Sequence, residues 1–214
     1  MRLRLIGLLL CAIITAAPAA ALDLDADPHT LVSQISDELF DQIEQHRDRY
    51  EQNQAELESL VREKFLPVID NHYAARLILG REARKLEPQQ IDDFATALSD
   101  LLVKRYAEGL LDFTNRDQMK VLPASSKDSE KLTRVRTRVR LTSGQEAPVD
   151  YIFRMRKQGW RVFDVVIEGI SYVTTYRNQF GEEIRQKGFD AVLERIRSGD
   201  VQTDFDSEDA ASSP

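Results

Sequence analysis

Asp164 lies in the strand-like run WRVFDVVI, and Tyr172 and Tyr176 follow it a short way down the chain. A carboxylate among β-branched residues with phenols near it is the kind of arrangement that isomerase-type sites on cone-shaped α+β sheets use for proton transfer. The same residue also has a structural reading, as a partner for cations. Arg134, Arg136, Arg138 and Arg140 recur at every second position, so they share one face of a strand, and four guanidiniums cannot sit unpaired in an apolar interior. That face must be wet or lined with carboxylates. The preferred expectation is that Asp164 serves the arginine face.

Other chemistries lack their residues. His29, His46 and His72 fall on separate helical segments without ligand spacing. The chain has no HExxH, no GxSxG, no glycine-rich phosphate loop and no acidic calcium loop. Asp92-Asp93 and Glu182-Glu183 are neighbours on helices, where adjacent side chains splay by about 100° and read as solvated faces rather than facing pairs. Cys11, the one cysteine, lies in a segment predicted to be removed, so the mature chain has no disulfide, thiolate metal site or cysteine nucleophile. No cofactor and no catalytic residue are expected.

The removed segment reads as a secretory signal. Arg2 and Arg4 form its positive end, Leu5 to Ala17 its apolar stretch, and Ala19-Ala20-Ala21 its small-residue site, with cleavage expected after Ala21. That apolar stretch is shorter than the roughly 20 residues a spanning helix needs. The whole chain carries 29 basic and 36 acidic side chains, a net charge of -7, a balance that argues against nucleic acid as a partner.

The elements that must position these residues fall in three blocks. Leu31, Ile35, Leu39 and Ile43 recur at helical spacing from Pro28 to Tyr50. A second helix starts at Asn53 and stops at Pro67; a third is capped by Asp70 and ended by Gly80; the longest opens at Glu87-Pro88 and runs towards Phe113. After Asn115 the period becomes two. Met119 to Leu122 is a short strand, and in the next Val135, Thr137, Val139 and Leu141 oppose the arginines. Val149, Tyr151, Phe153 and Met155 form one face of the third strand, with Ile152 on the other. In the fourth, Phe163, Val165 and Ile167 are expected on one face, and Trp160, Val162, Asp164 and Val166 on the other. A helix is expected from about Ile170 to Lys187 and another from Phe189 to Arg197.

These blocks predict an α+β fold: a helical amino-terminal half packed on a curved antiparallel sheet and closed by carboxy-terminal helices. Residues 1–21 form the signal peptide, 22–199 a single domain, and 200–214 an acidic tail expected to be disordered.

Together the signal peptide, the helical first half, the run VRTRVRL, the segment YIFRMRKQGWRVFDVVIEGISYVTTYRNQF and the closing FDAVLERI resemble the MlaC, or toluene-tolerance, family of periplasmic phospholipid-binding proteins. The most specific portion is Trp160 to Phe180, and the resemblance runs from about Pro28 to Gly199. It implies a sheet of nuclear-transport-factor-2-like (NTF2-like) type with phospholipid as cargo in an apolar pocket. It also implies exchange with an outer-membrane lipoprotein–porin complex on one side and an inner-membrane ABC transporter with its MCE-domain ring on the other, maintaining outer-membrane lipid asymmetry. On that basis Leu98, Leu102, Tyr106, Val139, Tyr151, Phe153, Val165, Ile167 and Val173 are expected to line the cavity. Tyr172, Tyr176 and Arg177 are expected at its mouth, where amphipathic rings and a cation suit a phosphate head group. The competing readings are an enzyme on the same sheet with Asp164 as base, and an interaction module that docks through the arginine face.

Overall fold

The computed structural model describes residues 22–125 and 128–201. The signal segment and most of the acidic tail lie outside the described residues.

Helix α1 spans Pro28–Gln52. Its start is set by Pro28 at the first position and by the Asp27 carboxylate, which accepts the His29 N–H at 2.9 Å. Non-helical backbone at His46 kinks it near its end. Helix α2 spans Gln54–Phe65, and α3 spans Asn71–Leu79 between the Asp70 cap and Gly80. Gly80 takes a φ of 55°, a conformation an L-residue rarely adopts.

Helix α4 spans Pro88–Tyr106. It stops short of the expected end near Phe113, because the chain tightens into a 3-10 turn over Glu108–Asp112. Arg47 of α1 takes the carbonyls of Leu111 and Phe113, and the Phe113 ring packs against Phe40 at 5.3 Å. Those contacts outweigh continuation of the helix, and Gly109 weakens it further.

The sheet has five antiparallel strands in chain order. These are β1 (Met119–Val121), β2 (Leu132–Arg140), β3 (Glu146–Arg156), β4 (Gly159–Ile167) and β5 (Ile170–Ser171). Val135 lies opposite Tyr151 and Thr137 opposite Val149, so the expected apolar face of β2 and β3 is the observed one. Thr137 fits there because its hydroxyl donates to the Val149 carbonyl at 2.6 Å.

Strand β4 departs from simple alternation. Phe153 pairs with Val162 and Ile152 with Asp164, which leaves Phe163 as the extra residue of a β-bulge. The bulge moves Trp160 and Val162 to the apolar face, opposite to the expectation, where both are buried with Phe153 and Val135. Val165 and Ile167, beyond the bulge, remain on that face. Phe163 instead meets Tyr73 of α3 edge-on at 5.2 Å.

The turn from β4 to β5 has φ of 51° at Glu168 and 87° at Gly169. Two consecutive positive φ values are what a two-residue hairpin loop needs to match strand twist. Ile170 and Ser171 therefore return along β4, pairing with Ile167 and Val166. The helix expected from Ile170 begins two residues later, as α5 over Tyr172–Lys187, and α6 follows over Phe189–Ser198.

The outer edge of β4 is covered in three places. The Leu24 carbonyl accepts the Trp160 N–H at 2.6 Å, the Val162 carbonyl accepts the Asp70 N–H at 2.7 Å, and β5 takes the end. Covering the edge removes a template for unwanted strand pairing. It also ties α3 and α5 to the sheet.

Among the described residues the core divides into three clusters. One joins the first half of α1 to the apolar sheet face through Leu31, Val32 and Ile35. A second lies between the later part of α1, α2 and the end of α4. The third is drawn from α3, α4, α5 and α6, with Ala83 and Val201 from the connecting and following segments.

Candidate functional site

The three clusters do not merge into one packed interior. At their borders lie apolar side chains that are only partly buried: Leu102 and Tyr172 beside the helical cluster, Met119, Tyr151 and Val165 beside the sheet cluster, and Leu110 and Leu111 beside the α2 cluster. Phe65 borders two of them. Val149 and Ile167, on the apolar sheet face, are partly buried as well. These partly covered apolar side chains, packed against all three clusters, are the candidates for contact with an apolar ligand.

Tyr151, on the apolar sheet face, is partly buried, and burial pushes its hydroxyl up to about 12.

Three tyrosines meet beside the helical cluster. Tyr106 of α4 and Tyr172 of α5 have ring centroids 6.4 Å apart, and Tyr172 and Tyr176 are 6.1 Å apart. Tyr176 stacks on Phe180 at 5.5 Å, and Phe180 meets Phe94 edge-on at 5.7 Å. The rings grade from open to closed, since Tyr106 is 38% exposed and Tyr176 1%. Burial first, then the neighbouring Tyr106 and Tyr172 phenols, push the Tyr176 hydroxyl well above the usual phenol range, against the opposing field of Arg105. That hydroxyl is buried beside the Tyr106 phenol.

The residues expected from sequence fall into distinct places. Leu102, Tyr151, Val165, Ile167 and Tyr172 are partly buried, and Tyr106 is exposed beside Tyr172. Leu98, Val173 and Tyr176 are buried in the helical cluster, Phe153 is fully buried in the sheet cluster, and Val139 is buried on the same sheet face. Arg177 is exposed and stands apart from the tyrosines: its Nε donates to the Leu77 carbonyl at the end of α3. Phe65, Leu110 and Leu111, not among the residues expected from sequence, are partly buried in the same way, since helical periodicity does not separate a side chain that fills a core from one at its border.

Asp164 is not the partner of the arginine face. Its carboxylate accepts the Ser171 hydroxyl at 2.6 Å and the Val173 N–H at 3.0 Å, so it holds the first turn of α5. Those bonds also tell against its use as a base. The carboxylate that serves the arginines is Asp150, which accepts from Arg134 Nε at 2.8 Å. Arg136, Arg138 and Arg140 donate to the carbonyls of Pro123, Thr137 and Asp117. Further along the sheet, Asp70 takes Arg156 at 2.8 Å.

Of the adjacent carboxylates, Asp92, Asp93 and Glu182 lie at the surface as expected, and Glu183 is largely covered. Asp92 meets His72 Nδ1 at 2.6 Å, and Asp93 accepts from Gln89 at 2.9 Å. Burial alone would raise the Glu183 carboxyl, but hydrogen bonds and field from Arg195 and Lys187 overcome it and hold the group below the usual carboxylate range.

A model of the family described as MlaC protein matches residues 33–198. The chain is similar to the intermembrane phospholipid transport system binding protein MlaC of Haemophilus influenzae, with 25% identity over 184 residues that cover 83% of this chain and 84% of that one. It is also similar to toluene tolerance protein ttg2D of Pseudomonas putida, with 25% identity over 164 residues covering 76% of this chain and 75% of that one. Among solved structures, a phospholipid-binding protein of Ralstonia solanacearum in complex with a phospholipid shares the fold, with a TM-score of 0.74 and 24% identity over 81% of this chain and 97% of that chain.

Proposed function

The chain belongs to the MlaC family, and from that premise we propose that it is a phospholipid carrier with no chemistry of its own, holding acyl chains in the seam between the sheet and the helical layer. The observation that supports this reading is the set of apolar side chains, Leu102, Tyr151, Val165, Ile167 and Tyr172, left partly covered on the sheet face and beside the helical cluster. Burying a methylene gains about 0.8 kcal/mol, so a sixteen-carbon chain taken from a membrane needs on the order of 12 kcal/mol of apolar contact in return. A closed core offers no room for that exchange. A seam walled by Leu102, Tyr151, Val165, Ile167 and Tyr172 offers both room and apolar surface.

The glycerol and phosphate end lies where the tyrosines open to solvent. Tyr106 and Tyr172 present amphipathic rings, and the Tyr176 hydroxyl donates to an ester or phosphate oxygen at the inner end of the ladder. The protein works in the periplasm after removal of residues 1–21. It receives lipid from, and delivers it to, an outer-membrane lipoprotein–porin complex and an inner-membrane ABC transporter with an MCE-domain ring, and so maintains outer-membrane asymmetry. The names of the relatives support transport of phospholipid between membranes.

Mass spectrometry of the organic extract tests this. The chain purified from bacterial periplasm and then denatured releases phospholipid in near-stoichiometric amount. Repeated recovery of folded chain with no phospholipid would sink the proposal.

A further inference from the structure

A groove of about 1120 Å³ runs along the outer seam of α3 and α5, well away in sequence from the tyrosine ladder's α4 component. Six cations line it against two carboxylates. Lys85 is paired with Glu82 at 2.7 Å, and Arg177 is held by the Leu77 carbonyl. Arg76, Arg81, Arg84 and Arg185 line the groove exposed, with no acid partner among the described residues. The remaining carboxylate, Glu182, accepts from Gln186.

This collection is not a by-product of overall charge, because the chain is net negative at -7. Elsewhere several arginines meet carboxylates, as Arg134 meets Asp150, Arg156 meets Asp70 and Arg195 meets Glu183, while Arg136, Arg138 and Arg140 are held by carbonyls. Arg177 Cδ lies 4.0 Å from where a Cβ at Gly80 would stand, and an Arg185 terminal nitrogen 3.7 Å from one at Gly181, so both arginines pass close to glycine positions.

We propose that this groove docks an acidic segment of a protein partner, whose carboxylates pair with Arg76, Arg81, Arg84 and Arg185. Guanidinium forks match carboxylate geometry in bidentate pairs and desolvate more readily than ammonium groups. A bilayer fits the site less well. It is planar where the groove is concave, and membrane surfaces are held by apolar insertion as well as charge. The exposed large apolar residues Tyr106, Leu132, Leu141, Met155 and Ile170 all lie outside the groove. The inference stands on the groove alone and does not depend on the lipid reading.

The test uses the full chain and a fluorescein-labelled peptide of Glu-Ala-Ala-Glu repeats, followed by anisotropy at rising salt. The peptide binds, salt weakens it, and the double variant Arg81→Glu, Arg84→Glu weakens binding by about tenfold or more. Arg136→Glu, Arg138→Glu on the sheet leaves binding unchanged. These positions are exposed or tied to carbonyls, and a thermal melt confirms that each variant is folded. Three results overturn the proposal: undiminished binding by the groove variant; capture of phosphatidylglycerol vesicles through the groove without capture of the peptide; or peptide binding that appears only when the residues after Val201 are removed, which would make the chain's own acidic tail the occupant.

Discussion

The Asp164 carboxylate accepts the backbone N–H of Val173 at 3.0 Å, so a residue of the fourth strand caps the helix that follows the fifth. Strand, hairpin and helix are fastened at one point, and Ser171 adds its hydroxyl to the same carboxylate. Replacing Asp164 by Ala removes a helix-start acceptor, which costs about 1 kcal/mol and up to about 2 kcal/mol. Urea unfolding measures it. Asp164→Asn, which keeps an acceptor oxygen, loses less than Asp164→Ala. Equal stability of wild type and Asp164→Ala would mean the carboxylate does not hold the helix.

Leu98 and Leu102 lie one turn apart on α4 and report on two different environments. Leu98 is buried in the helical cluster, and Leu102 only borders it. Truncating a packed leucine to alanine costs about 2 to 5 kcal/mol, because it leaves a cavity as well as losing burial. Leu102→Ala, at the proposed lipid seam, costs well under half as much in lipid-free protein. If the two variants lose equal stability, the seam is packed.

The face assignment predicts which substitutions compete with cargo. Trp introduced at Val139 or Ile167, on the apolar sheet face, lowers the phospholipid recovered by mass spectrometry more than Trp at Ile152 on the polar face. Equal losses at all three positions would show that the faces do not divide cargo from solvent.

Glu183 predicts a pH dependence of known sign. Its carboxyl is held below the usual range by Arg195 and Lys187 in the folded chain. A group whose pKa is depressed by folding stabilises fully above its unfolded value and loses that contribution as pH falls through the folded one. Stability therefore declines on acidification below the ordinary carboxylate range, and Glu183→Gln flattens that part of the profile. A Glu183→Gln profile parallel to wild type throughout would remove Glu183 from the acid response.

The parts of the fold legible in sequence were those written in side-chain period. Alternation of Val135, Thr137 and Val139 with arginines fixed the two faces of β2, and the pairing with β3 agrees with it. The bulge at Phe163 was not legible, because an inserted residue changes which face its neighbours take without changing their type. That is why Trp160 and Val162 were expected on the wrong side. Asp164 was misassigned for a related reason: a carboxylate in a strand reads the same whether it serves a neighbouring strand or a helix beyond a hairpin. Tyr106 reaches Tyr172 and Tyr176, neighbours on one turn of α5, across a long sequence distance, and only tertiary geometry shows how far each is open. The basic groove was hidden in the same way, since Arg76 to Lys85 and Arg177 to Arg185 belong to separate helical segments.

The central claim is that acyl chains occupy the seam between Tyr151, Val165 and Ile167 on the sheet and Leu102 and Tyr172 on the helices. A crystal structure of the protein as purified, with no lipid added, tests it most directly. The account predicts continuous acyl-chain density between those side chains, with the phosphate near Tyr106 and Tyr172. Density elsewhere, or a seam closed by direct contact of Leu102 with Tyr151 and Val165 and containing no lipid, would contradict it.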